Sequence, residues 1–309
     1  MANLRRLVPD LEFIFLRAEA RRDAISQEYA AQVVSDLAVA FELSPDFAIV
    51  ASPSSEHARV LHPLLAAEIP LYIEKPVVSD WRDLQELQHL AQQRAATVTM
   101  VGCNLRFLPS LRRLRELVHS GVIGQPARAH LQSGQWLPDW RPNSDYRRCY
   151  SADSKRGGGV ILDLIHEIDL ARWLFGEFSK VSCFAGKFSD LEISSEDTAA
   201  ILLGRDSIGP IVTINLDYLA RQPVRRYEIV GDRGSFIWEH AARTLQLTNA
   251  EGSQTVPLSE TDFDVKATYV TALTEFLQAV SRGRPTSQPL AEGLASAALA
   301  LQAKQFAGL

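Results

Sequence analysis

Four short apolar runs in the first hundred residues, each followed by a stretch of helical spacing, constrain this chain more than any other feature. The runs are Leu11–Leu16, Phe47–Ala51, Leu71–Glu74 and Val98–Gly102. Between and after them, Gln27–Val33, His57–Ala67, Trp81–Arg94 and Leu108–Ser120 read as helices. Runs of four to six apolar residues without alternation suit strands buried on both faces, and helices between strands are the crossovers of a parallel sheet. Beyond about residue 105 the pattern changes. A triple glycine, Gly157-Gly158-Gly159, leads into a helix running to about Phe175. Strand-like stretches then follow one another without helices, at 181–187, 198–203, 210–218, 226–230, 235–239 and 244–248. Two closing helices are expected over 264–282 and 289–306. The predicted architecture is α/β: a parallel-sheet domain over residues 1–105, then an α+β domain over 106–309 with a large, mostly antiparallel open sheet.

Composition narrows the function classes. No segment reaches the roughly 18–20 consecutive apolar residues of a membrane span, and the start Met1–Leu7 is not followed by an apolar signal core. A cytoplasmic protein is expected. The net charge of −5 gives no reason to expect nucleic-acid binding. Cys103, Cys149 and Cys183 are far apart and odd in number, so neither a zinc site nor a disulfide framework is indicated, and no metal is expected.

The chemistry concentrates in a few motifs. Glu74-Lys75-Pro76 closes the apolar run Ile69–Ile73. In open parallel sheets, ligands bind beyond the C-terminal strand ends, so Lys75 is placed to reach a reacting oxygen or a cofactor. A solvated lysine is the plainer alternative. Ser52-Pro53-Ser54-Ser55-Glu56-His57 follows a buried strand and opens a helix, which suits either N-capping or a polar ligand. In Asp163-Leu164-Ile165-His166, the two titratable groups would share one helix face, as an oriented acid/base histidine requires. Gly157–Gly159 is not a G-x-G-x-x-G fingerprint, and it follows a polar loop rather than a strand. Arg17 follows the first strand, where an arginine accommodates the 2′-phosphate of NADP. The stretch from Trp136 to Tyr150, with Trp140, Arg141 and Tyr146, is rich in groups that stack on sugar rings and bond hydroxyls. It serves equally as a structural loop.

In their order and spacing these motifs resemble the glucose–fructose oxidoreductase/inositol dehydrogenase/MocA family. The resemblance rests on Ile49–Pro53 with His57, Glu74-Lys75-Pro76, Gly102–Phe107 with Pro109, Gly157–Gly159 through His166 and Asp169, Glu196-Asp197-Thr198, and Ile229–Gly231 with Gly234. It implies NAD- or NADP-dependent oxidation or reduction of a sugar, cyclitol or sugar-derivative secondary alcohol. It further implies catalytic roles for Lys75, His166 and Asp163, although Asp163 and His166 stand three positions apart where many family members have four. Ser52, Pro53, His57, Glu74, Lys75 and Pro76, with Arg17, are the implied cofactor residues. Asn104, Arg106, Trp136, Trp140, Arg141 and Tyr146 are the implied substrate residues. A departure stands at the front: Asn3–Pro9 reads as the second half of a helix whose preceding strand and glycine-rich turn are missing, so a truncated Rossmann-type domain is expected. That departure motivates a second reading, a non-catalytic sugar- or dinucleotide-binding regulatory protein on the same fold. The second sheet should also present an apolar face, with a homodimer or homotetramer formed through it.

Overall fold

The computed structural model describes residues 1–206 and 209–309. The first domain holds two parallel sheets. Strands β1 (Ile14–Leu16) and β2 (Gln32–Val34) pair with each other, and β3 (Ala48–Val50), β4 (Leu71–Ile73) and β5 (Thr99–Val101) pair in that order. Helices α1 (Ala2–Leu7), α2 (Ala24–Glu28), α3 (Leu37–Glu42), α4 (His57–Ala66) and α5 (Trp81–Gln93) connect or flank them. Every residue of β4 and β5 is buried, which explains why these runs do not alternate. Leu61 and Leu65 of α4, with Leu84 and Leu87 of α5, join Leu71 and Ile73 in one core cluster. Each such side chain contributes about 1.5–3 kcal/mol by leaving water.

The helix expected over Gln27–Val33 is corrected. Asp23 and Ser26 form a reciprocal capping box, but α2 stops at Glu28, and Ala30 takes a left-handed conformation (φ 50°). The chain then turns into β2. The β-branched pair Val33-Val34 suits a pleated strand, and the ladder to β1 outweighs local helix propensity.

The second domain opens with α6 (Pro109–His119), β6 (Pro126–Gly134) and a long loop built from four single 3-10 turns. It continues through α7 (Val160–Asp163) and α8 (His166–Phe175) into β7 (Lys180–Gly186), β8 (Thr198–Gly204), β9 (Ile211–Asp217), β10 (Val224–Gly231), β11 (Gly234–Glu239), β12 (Thr244–Asn249) and β13 (Gly252–Thr255). The eight strands form one continuous sheet in the order β13-β12-β11-β10-β6-β9-β8-β7, with β6 and β9 parallel and the other pairs antiparallel. Its inner face packs under α7 and α8. On the outer side, Phe184 is 81% exposed, and Phe188, Leu202 and Ile211 are also exposed.

The last two helices, α9 (Val265–Arg282) and α10 (Leu290–Phe306), return to the first domain. Phe276 of α9 packs edge-on against Phe47 and Tyr72. The connection between the helices runs along the free edge of β5, where Val101 N–H donates to the Gln288 carbonyl and the Thr286 hydroxyl donates to the Thr99 carbonyl. This anchors the parallel sheet of the first domain to the C-terminal helices.

Candidate active site

Lys75 stands directly after β4, and its Lys75–Pro76 peptide is cis. Its ammonium crosses to the second domain and donates to the Asp163 carbonyl at 2.6 Å. That carbonyl is free because the helix expected to run unbroken through residues 160–175 is interrupted. This corrects the expectation that Asp163 and His166 share one helix face. Helix α7 ends at Asp163, Leu164 leaves helical geometry (φ −99°, ψ 30°), and α8 starts at His166. In an unbroken helix the Glu167 amide would bond to the Asp163 carbonyl. Here it reaches only to Leu164, at 3.2 Å, and Lys75 takes the vacated acceptor. Leu164 and Ile165, at the break, are both buried.

Three buried polar atoms without partners fall within residues 163–167: Asp163 Oδ1, His166 Nδ1 and Glu167 Oε2. A buried polar group left unpaired costs about 1–3 kcal/mol, so each of these atoms calls for a partner, whether water or a ligand. The other carboxylate oxygens are held. The Tyr218 hydroxyl donates to Asp163 Oδ2 at 2.6 Å, while Arg225 and Tyr227 both donate to Glu167 Oε1. Burial, and next the Asp163 carboxylate, push the hydroxyls of Tyr218 and Tyr150 up in pKa, so both remain donors. Burial, reinforced by the charges of Lys75 and Arg225, holds His166 well below the ordinary histidine value. A neutral imidazole beside an ammonium is equipped to accept a proton.

The glycine triplet serves the chain's own packing. A Cβ on Gly158 would lie 2.2 Å from the Tyr150 carbonyl, and one on Gly159 (φ 115°) would meet the Glu196 carboxylate. Glu196 in turn receives the Ile161 amide and the Lys304 ammonium, and so fixes the start of α7.

His57 binds the cofactor-side loops together. Its Nε2 lies 2.9 Å from the Ser52 carbonyl and its Nδ1 3.2 Å from the Val77 carbonyl, joining the loops after β3 and β4. Burial lowers its pKa against the effect of those carbonyls. Pro53 stands immediately before the turn Ser54–Glu56, and no serine side chain caps that turn. Glu74 points toward Tyr72 and Gly102, and burial raises its pKa against the opposing charge of Lys75.

The remaining residues singled out from sequence lie elsewhere. Arg17 pairs with Asp23 and lies over the Phe15 ring. Asn104 donates to the Thr268 hydroxyl. All of the terminal nitrogens of Arg106 are taken by Asp169 of α8 and Glu292 of α10, so its guanidinium ties the segment after β5 to both helices. Trp140 packs edge-on against Tyr218 and donates to the Gln135 carbonyl, Trp136 carries the Arg221 guanidinium over its ring, Arg141 lies over Tyr150, and the Tyr146 hydroxyl accepts the Glu192 amide. The aromatic loop thus reaches the site through Trp140 and Tyr150. Tyr218 was not singled out from sequence, yet a signal existed. It continues the inward series Val212, Ile214, Leu216, and a tyrosine in such a series needs a partner for its hydroxyl.

The fold is thus a split parallel domain followed by a large, mostly antiparallel open sheet, with Lys75 bonded across from the first to the second. Comparison with known proteins agrees. Residues 2–102 match the model of an oxidoreductase family with an NAD-binding Rossmann fold, and residues 111–237 match the GFO/IDH/MocA C-terminal domain. The chain belongs to the GFO/IDH/MocA family of oxidoreductases. An inositol 2-dehydrogenase of Rhizobium meliloti is 25% identical over 289 residues, covering 91% of this chain and 84% of the relative. An uncharacterized oxidoreductase of Bacillus subtilis is 28% identical over 284 residues, covering 84% and 75%. Among solved structures, an Agrobacterium radiobacter oxidoreductase in complex with NAD+, L-tartaric acid and magnesium superposes with a TM-score of 0.81 at 20% identity, covering 99% of this chain and 92% of that one. A levoglucosan dehydrogenase in complex with NADH and levoglucosan superposes at 0.80 and 19% identity, covering 96% and 88%. Among the described residues, no helix is long and apolar enough to cross a membrane, and no group of three or more His, Cys, Asp or Glu side chains could hold a metal ion.

Proposed function

We propose that Lys75, His166 and Asp163 form the catalytic centre of a dehydrogenase acting on a secondary alcohol of a sugar or cyclitol. The observation that carries this reading is the Lys75 ammonium bonded to the Asp163 carbonyl, in a segment whose Asp163 Oδ1 and His166 Nδ1 are buried without a protein partner. A substrate with neighbouring hydroxyls satisfies all three groups at once. His166, kept neutral, takes the hydroxyl proton. Lys75 stabilises the negative charge that develops on the oxygen, an electrostatic contribution that grows as water is excluded. Asp163, fixed by Tyr218, accepts a hydrogen bond from the adjacent hydroxyl and so orients the reacting carbon. A nicotinamide, when bound, supplies the hydride-accepting or hydride-donating carbon.

The nicotinamide half of the cofactor fits the loops after β3 and β4 that His57 ties together. We favour NAD over NADP, because Arg17 is already engaged by Asp23 and Phe15. The exposed Phe184, Phe188, Leu202 and Ile211 support assembly of two or more copies through the open sheet face. The non-catalytic reading has less support, because a binding protein has no need of a neutral histidine beside a lysine.

The test is a panel of sugars and cyclitols, read by calorimetric binding and by formation of reduced nicotinamide. Polyols bind in the millimolar range or tighter, and Asp163→Asn weakens that binding tenfold or more. Polyol binding that ignores Asp163→Asn refutes the assignment.

A further inference from the structure

The aromatic loop after β6 carries cations to the border of the candidate site. Its start is laced to the segment after β9: Leu137 N–H donates to the Tyr218 carbonyl and Trp136 N–H to the Ala220 carbonyl. Tyr218 donates to Asp163 Oδ2, and Trp140 packs edge-on against the Tyr218 ring. The loop continues to Tyr150, whose hydroxyl is pushed up in pKa by burial and next by the Asp163 carboxylate, with Arg141 opposing. Trp140 and Tyr150 thus border Asp163, and Trp136 is tied to the same segment as Tyr218.

Two guanidiniums lie on these rings. Arg141 is 5.7 Å from the centroid of Tyr150, and Arg221 is 3.6 Å from that of Trp136. A ring beneath a guanidinium covers its flat face and leaves the N–H edge for a planar, bidentate acceptor. Other arginines nearby already have such acceptors: Arg147 pairs with Asp145 and Glu192, and Arg225 with Glu167. Among the described residues, Arg141 and Arg221 make no ion pair and donate no side-chain hydrogen bond, and both are exposed. The chain has 37 acidic residues against 32 basic ones, yet it sets none beside these two. Arg141 is linked to Asp163 by way of the Tyr150 ring, and Arg221 by way of Trp136 and Tyr218. An anion on these edges is therefore distinct from the hydroxyls that Asp163 and His166 engage.

We infer that the substrate is an acidic sugar, whose carboxylate or phosphate group, remote from the carbon that exchanges hydride, is bound by Arg141 and Arg221. This rests on the functional reading above and names the substrate class of the same site. Calorimetry on the 309-residue protein tests it with D-glucose, D-glucuronate, D-glucose 6-phosphate and D-glucose 1-phosphate, and with myo-inositol beside its 1-phosphate. Within each set the ring is shared, and only the acidic group and its place change. At least one acidic form binds about tenfold or more tighter than its neutral parent, as a charge-assisted bidentate contact provides. Glucuronate alone identifies a carboxylate, and a phosphate ester alone identifies a phosphoryl group. Arg141→Ala and Arg221→Ala each remove most of that preference and leave the neutral sugar within about twofold, since both side chains are exposed and apart from the hydroxyl-binding groups. Lys155→Ala, an equal loss of charge at an exposed position of the same loop, leaves the preference within about twofold. Acidic forms that bind no tighter than their parents overturn the inference. So does a preference that survives either arginine substitution, or one that Lys155→Ala lowers as much. Neutral-sugar binding weakened by Asp163→Asn, without any preference for acids, overturns it while leaving the functional reading intact.

Discussion

Two buried polar clusters share helix α8, and they differ in how completely they are satisfied. Toward its C-terminal half, Asp169 receives two guanidinium nitrogens of Arg106 and the Ser296 hydroxyl, while Arg172 is bonded to Glu177, Ser296 and the Glu292 carbonyl. Across the junction of α7 and α8, Asp163 Oδ1 and His166 Nδ1 have no partner, although Lys75 bonds to the Asp163 carbonyl. The first cluster is closed and joins α8 to α10. The second is left unsaturated by the protein's own groups. Both hold buried charge, and the difference in saturation separates scaffold from candidate site. A saturated network resists change, and an unsaturated one awaits a ligand.

The largest effect that separates the clusters should come from Arg106→Ala. Removing one member of a buried, hydrogen-bonded pair leaves the Asp169 carboxylate uncompensated and costs about 3–5 kcal/mol. Urea unfolding should show it as a lower midpoint. A loss under 1 kcal/mol would remove the distinction between a closed scaffold and an open site.

A second effect follows from His166. The folded protein keeps it neutral where the unfolded chain, with a value of about 6.5, takes up a proton. The unfolded state therefore binds more protons below that value, and stability falls as pH drops from about 6.5, by up to about 1.4 kcal/mol per unit for one group. His57 and His240 are lowered in the same direction and add to the slope. Comparison with His166→Gln isolates the difference: the variant should be flatter between about pH 6.5 and 5. Parallel curves would mean that His166 is protonated as readily in the fold as out of it.

The smallest effect belongs to the loop. Arg147 bridges Asp145 and Glu192 at the surface with half of its side chain exposed. Arg147→Ala should change stability by less than about 1 kcal/mol, measured by the same urea titration. A larger loss would show that the loop over the site depends on this pair.

Much of this arrangement was legible in the sequence, and the misses have physical causes. The position of Lys75 at a strand end followed from an apolar run closed by Lys-Pro, because strand ends in parallel sheets are fixed by hydrophobic length. The antiparallel sheet followed from consecutive alternating stretches. The break after Asp163 did not, because nothing local in Val160–Ile165 signals it, and the group that takes up the Asp163 carbonyl, Lys75, lies 88 residues away along the chain. Arg106 resembled a ligand-binding arginine, but the carboxylates that engage it lie 63 and 186 residues away along the chain. No local pattern reports such partners.

The central claim is that the open cluster performs the chemistry. It is tested most directly by turnover of a responsive polyol at saturating nicotinamide cofactor in His166→Ala and Lys75→Met, with thermal midpoints recorded in parallel. Loss of a positioned acid/base group lowers kcat by about 10²–10⁴-fold, and both variants should show such a loss while melting within about 3 °C of the parent, a shift of about 1 kcal/mol or less for a chain of this length. Turnover within threefold of the parent in either folded variant would contradict the account.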